Sequence, residues 1–117
     1  MILVDTSVWI DFLRSGNSLL ENLLREGEVA THPIVIGELH VGNISKRGEF
    51  LGLLKNLPLT TEASHAEVIE FIEANRLYGK GVGYMDVSIL CSSILSGTPL
   101  WTMDKKLEKL AKKFGPK

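Results

Sequence analysis

The chain opens with MILVDTSVWIDFL, residues 1–13, and this stretch decides the class of fold. Its first residues, Met1 to Val4, form a short apolar run that is typical of a buried strand and leads directly into Asp5. The residues from Ser7 to Leu13 show helical spacing, with Thr6 as the predicted N-cap. A strand that passes through an acid into a helix predicts a parallel α/β fold, where such acids lie at the carboxyl ends of the strands.

The rest of the chain continues this alternation of helix and strand. In the first helix, Trp9, Ile10 and Leu13 are predicted to face inward. Further helices are predicted at 18–25, after Thr31-His32-Pro33, at 49–57, 63–78 and 85–95, and in the tail after Asp104. Short strands are predicted at 29–31, 59–61 and 98–102. No linker or repeat interrupts the pattern, so we expect a single α/β domain over residues 1–117.

Composition narrows the class of protein. With 117 residues, 44% hydrophobic residues and a mean hydropathy of +0.13, the chain has the make-up of a globular domain. Cys91 is the only cysteine, which excludes an intrachain disulfide and favours a cytoplasmic protein with a core thiol at this position. The opening residues lack the basic start of a signal peptide. The longest uncharged stretch, 87–103, contains serines, a glycine and a proline, so no membrane span is expected.

Four acids stand where an apolar segment meets a turn or the start of a helix: Asp5, Glu38, Asp86 and Asp104. In a wound sheet these positions converge on one edge. Four carboxylates gathered there repel one another by about 3 kcal/mol per pair at roughly 5 Å and an effective dielectric of about 20. A bound cation offsets this cost, and oxygen ligands suit Mg²⁺ or Mn²⁺ better than zinc. The pattern therefore predicts a divalent-metal site, with one or two ions, for cleaving a phosphodiester.

Simpler interpretations of these acids remain open. Asp5 and Asp104 both precede helices and are also suited to N-capping. Asp86 is also suited to the first turn of a helix, where the macrodipole favours an acid. Glu38 lies among apolar residues and needs a partner unless it faces solvent. Other candidates are weaker: Asp11 is expected to pair with Arg14 or solvent, the three histidines lack zinc spacing, and the glycines at 79–83 form a turn rather than a phosphate loop.

Charge is distributed unevenly along the chain. The net charge is −1, but residues 101–117 carry six lysines against two acids. This basic tail beside an acidic body is compatible with guiding a polyanion toward the metal site, and a solvated helix face is the plainer alternative. The candidate RNA-binding residues are Lys105, Lys109, Lys112 and Lys113.

Several segments together resemble one family. ILVDTSVWIDFLR, PIVIGELHVG, YMDVSILCSSILSGTPLWT and TMDKKLEKLAKKFG are similar, in this order, to the PIN-domain ribonucleases and most closely to VapC toxins. The resemblance implies a Rossmann-like three-layer α/β/α fold with a short, mostly parallel sheet. It also implies a metal-dependent endoribonuclease, an RNA substrate, a VapB-like antitoxin and a homodimer.

By this resemblance Asp5, Glu38, Asp86 and Asp104 are the catalytic, metal-binding acids, and Thr6, Ser7 and Thr102 are supporting polar residues. Two departures from the family stand out. Lys106 occupies a position where many relatives carry another acid, and a final edge strand after Phe114 is expected to be absent or vestigial.

Two other classes of function remain in view. A non-catalytic PIN-like scaffold would share the fold, but the presence of all four acids argues against it. A phosphoacceptor receiver module has a similar length, yet it requires paired acids after its first strand. The first strand here ends in Asp5-Thr6-Ser7, so the receiver is the weaker alternative.

Overall fold

The computed structural model describes residues 1–117, and its centre is a parallel sheet of three short strands. The strands are β1 (Ile2–Val4), β2 (Val29–Ala30) and β3 (Leu100–Trp101), in the spatial order β2-β1-β3. The first strand is central: Leu3 pairs with Ala30 on one side and with Leu100 on the other. Because all three strands are parallel, the residues after Val4 and after Trp101 emerge at the same edge of the sheet.

Seven helices surround this sheet. They are α1 (Thr6–Ser15), α2 (Ser18–Arg25), α3 (Pro33–Val41), α4 (Arg47–Lys55), α5 (His65–Asn75), α6 (Tyr84–Ser96) and α7 (Lys105–Phe114). Local sequence explains several of their ends. Asn17 caps α2 by accepting a bond from the Leu20 amide, and Ser64 and Glu67 form a capping box at α5.

Two apolar clusters hold the layers together. The larger joins the sheet to α1–α4 and contains Trp9, whose ring makes edge contacts with Phe12 and Phe50. The smaller joins α5, α6 and α7 and includes Val68 and Cys91. Helix α6 belongs to both clusters because it is buried continuously from 87 to 93. The predicted α/β class and short parallel sheet are confirmed.

Some expectations about α1 were wrong. Thr6 is the first residue of the helix, and Asp5 occupies the N-cap position instead. Trp9 is fully buried, but Ile10 and Leu13 are 39% and 38% exposed. These two side chains border an open groove of about 550 Å³. A short amphipathic helix does not reveal from its spacing how much of its apolar face is covered by neighbours.

Other differences concern element ends. The predicted strand at 59–61 is reduced to one bridge between Thr31 and Leu59, and the helix predicted at 63–78 is limited to α5. Residues 115–117 form no strand. No helix has the length and apolar character that a membrane span requires.

Candidate active site

Asp5 lies where β1 ends, and its carboxylate is only 5% exposed. Although it occupies the N-cap position of α1, its side chain makes no capping bond. Its Oδ2 instead accepts hydrogen bonds from Ser7 Oγ at 2.8 Å and from Thr102 Oγ1 at 2.7 Å. No protein group donates to Oδ1. The carboxylate is thus fixed through one oxygen and keeps the other for a further partner.

The hydroxyls that hold Asp5 are themselves held by the chain that follows β3. Ser7 Oγ accepts from the Met103 amide at 2.9 Å, and Thr102 Oγ1 accepts from the Asp104 amide at 3.1 Å. Each hydroxyl therefore donates to the carboxylate and accepts from backbone. The network joins the end of β1 to the segment between β3 and α7, which fixes two of the candidate acids relative to each other.

Glu38 reaches this edge from α3. Its side chain is exposed, and its Oε1 accepts a 2.7 Å bond from Thr6 Oγ1 at the start of α1. The three predicted supporting hydroxyls are therefore each bonded to a candidate acid: Thr6 to Glu38, and Ser7 and Thr102 to Asp5.

Asp104 is the N-cap of α7, and its Oδ1 accepts from the Leu107 amide at 3.0 Å. The capping interpretation is therefore correct for this residue, whereas it fails for the side chain of Asp5. The bond occupies one carboxylate oxygen of Asp104. The residue is exposed, so its other oxygen remains accessible.

Asp86 carries the clearest electrostatic signature of the site. It lies in the first turn of α6 and is half-buried. Its pKa is raised above the ordinary value for an aspartate, first by burial and then by the negative charges of Asp5, Asp104 and Glu38. The negative charges of Asp5, Asp104 and Glu38 thus raise the pKa of Asp86, so the four predicted acids lie close enough to interact electrostatically.

The donor set is entirely oxygen, which fits a hard divalent cation such as Mg²⁺ or Mn²⁺. No three acidic, histidine or cysteine side chains lie close enough to surround one ion as they stand. Two of the carboxylates, those of Asp104 and Glu38, are turned toward protein donors. The residues therefore suit the ion chemically, and ligation by three of them requires side-chain rotation at this edge.

The lysines of α7 lie beside this edge. Lys105, Lys109 and Lys112 border an open groove together with Lys106 and Glu108. Lys112 also pairs with Glu108 at 3.6 Å. Lys113 lies apart from this groove, with its ammonium 5.2 Å from the centre of the Phe114 ring.

The histidines have structural contacts. His32 is fully buried and caps α3, because its Nδ1 accepts from the Ile34 amide at 3.0 Å. Its Nε2 lies 2.9 Å from Ser92 Oγ. Burial lowers the pKa of His32, and the charge of Glu62 opposes this effect only in part. The motif Thr31-His32-Pro33 predicted a helix start, but a buried histidine cap is too unusual to be read from it.

The sequence also gave no indication of a contact between Lys106 and Gly81. A Cβ built on Gly81 would lie 2.5 Å from Lys106 Nζ.

Cys91 is a buried thiol, as expected, and burial raises its pKa to about 11, which makes it a poor nucleophile.

A family model described as PIN domain matches residues 2–113 of the chain. The chain belongs to the PIN domain family. Within it, the chain is 42% identical over 116 residues to Ribonuclease VapC32 of two Mycobacterium tuberculosis strains, covering 98% of this chain and 94% of the relative. It is also 32% identical over 121 residues to Ribonuclease VapC1 of Methanocaldococcus jannaschii, covering 99% of this chain and 85% of that protein. These similarities place this PIN domain in the VapC group.

Proposed function

We propose that this VapC-group PIN domain is an Mg²⁺- or Mn²⁺-dependent endoribonuclease and acts as the toxin of a toxin–antitoxin pair in the cytoplasm. The observation that carries the proposal is the raised pKa of Asp86, caused in part by Asp5, Asp104 and Glu38. Uncompensated negative charges that destabilise one another are expected where a cation is bound. The relatives' names, which are those of ribonucleases, support the reaction class.

The four acids have different tasks in this proposal. Asp5 is the rigid member, because Ser7 and Thr102 fix its Oδ2 and leave its Oδ1 without a protein donor. Asp86, Glu38 and Asp104 would complete the ligand set. A bound divalent ion would lower the pKa of an attacking water and neutralise charge on the phosphate. The four acids would orient the water and the phosphate through the ion, whose positive charge balances that of the carboxylates.

The substrate proposal rests on the charge of α7. Lys105, Lys109 and Lys112 border one groove on α7, the helix that Asp104 caps. Ammonium groups in such an arrangement attract phosphates without reading bases. They would therefore guide single-stranded RNA toward the acids, and Lys113 would contribute less because it lies over Phe114.

An apolar groove beside Glu38 supports an antitoxin partner. Ile10, Leu13, Leu39 and Ile44 contribute to its wall together with Glu38. A VapB-like antitoxin that covers this groove would also reach the acidic edge. A cationic side chain from it, most effectively an arginine, would then pair with the carboxylates and compete with the metal ion. A homodimer is proposed on the resemblance to VapC toxins alone.

The non-catalytic scaffold is disfavoured by the hydrogen bonds at Asp5. A scaffold has no need to bury a carboxylate and to fix it with two hydroxyls that are themselves held by backbone amides. The receiver alternative lacks support because the chain belongs to the PIN domain family.

The deciding experiment measures cleavage of single-stranded RNA with EDTA, Mg²⁺ or Mn²⁺. Wild type should cleave RNA only with a divalent ion, and Asp5→Asn should abolish cleavage. Glu73→Gln is the matched control, since Glu73 is an exposed acid on α5 without an ion pair. Equal activity of wild type and Asp5→Asn would overturn the proposal.

A further inference from the structure

The side chain of Lys106 reaches the loop that precedes α6. Lys106 is the second residue of α7, and its ammonium group lies against the backbone of Gly81 in this loop. A Cβ at Gly81 would lie 2.5 Å from Nζ, which is closer than real side chains approach one another. Gly81 also has a φ of +74°, in the left-handed region that favours glycine. The missing side chain at Gly81 therefore leaves room for this ammonium, and the positive φ separately favours glycine at this position.

The ammonium of Lys106 has no carboxylate partner within 4 Å. The ion pairs of the chain are those of the N-terminal amine with Glu28, Arg25 with Glu21, and Lys112 with Glu108. A lysine that served to neutralise the acidic site would be expected to contact one of its carboxylates. Lys106 does not, so its charge remains available to an anion from outside the protein.

Lys106 lies on the helix that begins at Asp104 and contacts the loop that leads to Asp86. Its helix starts at the Asp104 cap, two residues earlier, and the loop it contacts enters α6, whose first turn carries Asp86. We call the loop that leads into α6 the rim of the acidic edge, and the ammonium lies against it. Of the other lysines of the groove, Lys105 precedes Lys106, and Lys109 and Lys112 follow about one and two turns farther along the helix.

We propose that Lys106 is a phosphate-binding residue, which contacts an RNA phosphate next to the cleaved bond. The inference rests on the ribonuclease function proposed above. An RNA strand whose scissile phosphate lay at the acids would bring an adjacent phosphate to this rim, and an unpaired ammonium there supplies a charge-assisted hydrogen bond. Gly81 leaves space for the ammonium, because glycine adds no side chain to the loop.

The test compares Lys106→Gln with Lys106→Arg and with Lys55→Gln, the same charge change at an exposed lysine of α4 that forms no ion pair. Single-turnover cleavage of a mixed-sequence single-stranded RNA oligonucleotide is measured against RNA concentration with Mg²⁺. Lys106→Gln should raise the half-saturating RNA concentration by about tenfold, as expected for loss of a hydrogen bond to a charged group. Lys106→Arg should retain most of the affinity, and Lys55→Gln should lie close to wild type.

A second readout locates the contact on the RNA. Oligonucleotides carry one uncharged methylphosphonate linkage at successive positions around the cleaved bond. One position should weaken wild type and have no effect on Lys106→Gln, because the contact is already lost. The slope of log affinity against log salt should also fall by about 0.7 in Lys106→Gln. If Lys106 had only a structural role, no single methylphosphonate position would lose its effect in Lys106→Gln, and the salt slope would stay at the wild-type value.

Gly81→Ala provides a variant that leaves the lysine in place. Its new Cβ should displace the ammonium, so it should reproduce the defect of Lys106→Gln, and its melting temperature identifies any loss of folding. If Lys106→Gln behaves like Lys55→Gln while wild type cleaves RNA, the inference is wrong and the proposed function stands. If wild type cleaves no better than Asp5→Asn, the proposed function fails, and the inference fails with it.

Discussion

Thr102 donates a 2.7 Å hydrogen bond to the Asp5 carboxylate across 97 positions of the sequence. This bond joins the end of β1 to the end of β3, and the Asp104 amide completes it by donating to the same hydroxyl. The relationship explains why Asp5 does not cap its own helix. Ser7 and Thr102 hold the Asp5 carboxylate, and it makes no capping bond. Asp5 therefore contributes only its backbone conformation at the N-cap position of α1.

Removing the Thr102 hydroxyl should therefore lower stability and activity together. Thr102→Val keeps the shape but leaves the Asp104 amide without its acceptor and Asp5 with one donor fewer. We expect a loss of about 1–3 kcal/mol in the free energy of unfolding. Thr31→Val is the matched control, because Thr31 is equally buried after β2 and its hydroxyl has no partner. That variant should be neutral or more stable by roughly 1 kcal/mol. Equal losses in urea unfolding of the two variants would contradict this account.

The second prediction concerns pH and His32. Burial lowers the folded-state pKa of this residue below its unfolded value, which is about 6.5. The folded state therefore resists protonation, and stability should fall as pH drops below about 6.5, by up to about 1.4 kcal/mol per pH unit. His32→Asn retains an N-cap acceptor and removes the titration. Urea unfolding between neutral and mildly acidic pH should show a flatter profile for this variant. An unchanged slope would rule out His32 as the cause.

The third prediction concerns the repulsion among the acids. The pKa of Asp86 is raised, so its contribution to stability is present below the unfolded value and is lost as pH rises through the folded value. At pH 7 in EDTA, Asp86→Asn should therefore melt at a higher temperature than wild type. Mg²⁺ or Mn²⁺ should reverse this order, because an ion at about a hundred times its Kd stabilises wild type by about 2.7 kcal/mol. If the acids bind no ion, Asp86→Asn should keep the higher melting temperature in Mg²⁺ or Mn²⁺ as well. Glu73→Gln should match wild type throughout.

Hydrophobic patterns singled out Asp5, Asp86 and Asp104 because each follows a strand or opens a helix, whereas Glu38 lies in the second turn of α3. The sequence also pointed to Ser7 and Thr102 as polar neighbours. It could not say that both hydroxyls share one oxygen of Asp5, because such bonds depend on the parallel register of distant strands.

Side-chain exposure was harder to predict for similar reasons. The spacing of Ile10 and Leu13 matched a buried helix face, yet these residues border an open groove. Whether an apolar face is covered depends on where the next helices lie, and a local pattern does not contain that information. The contact of Lys106 with Gly81 also depends on how α7 packs against the loop before α6.

The fourth prediction tests toxicity through Glu38. Glu38→Gln preserves volume and the acceptor for Thr6 but removes the charge that a metal ligand needs. Its effect on RNA cleavage should exceed the roughly 10–100-fold that outer-shell partners of metal ligands are worth. Expressed without an antitoxin, the variant should permit growth while wild type arrests it at matched soluble protein levels. Antitoxin binding should persist, since Ile10 and Leu13 remain in the groove. Growth arrest as strong as that of wild type would show that Glu38 is not catalytic.

The most direct test of the central claim is to locate Mn²⁺ by anomalous diffraction in crystals of wild type and Asp5→Asn. The four acids should bind the ion that supports RNA cleavage, so the anomalous peak should lie within ligand distance, about 2.0–2.3 Å, of a carboxylate oxygen of Asp5 and of Asp86. The peak should vanish in Asp5→Asn at the same Mn²⁺ concentration. A peak that lies elsewhere, or that persists in the variant, at a concentration where wild type cleaves RNA would contradict the four-acid site.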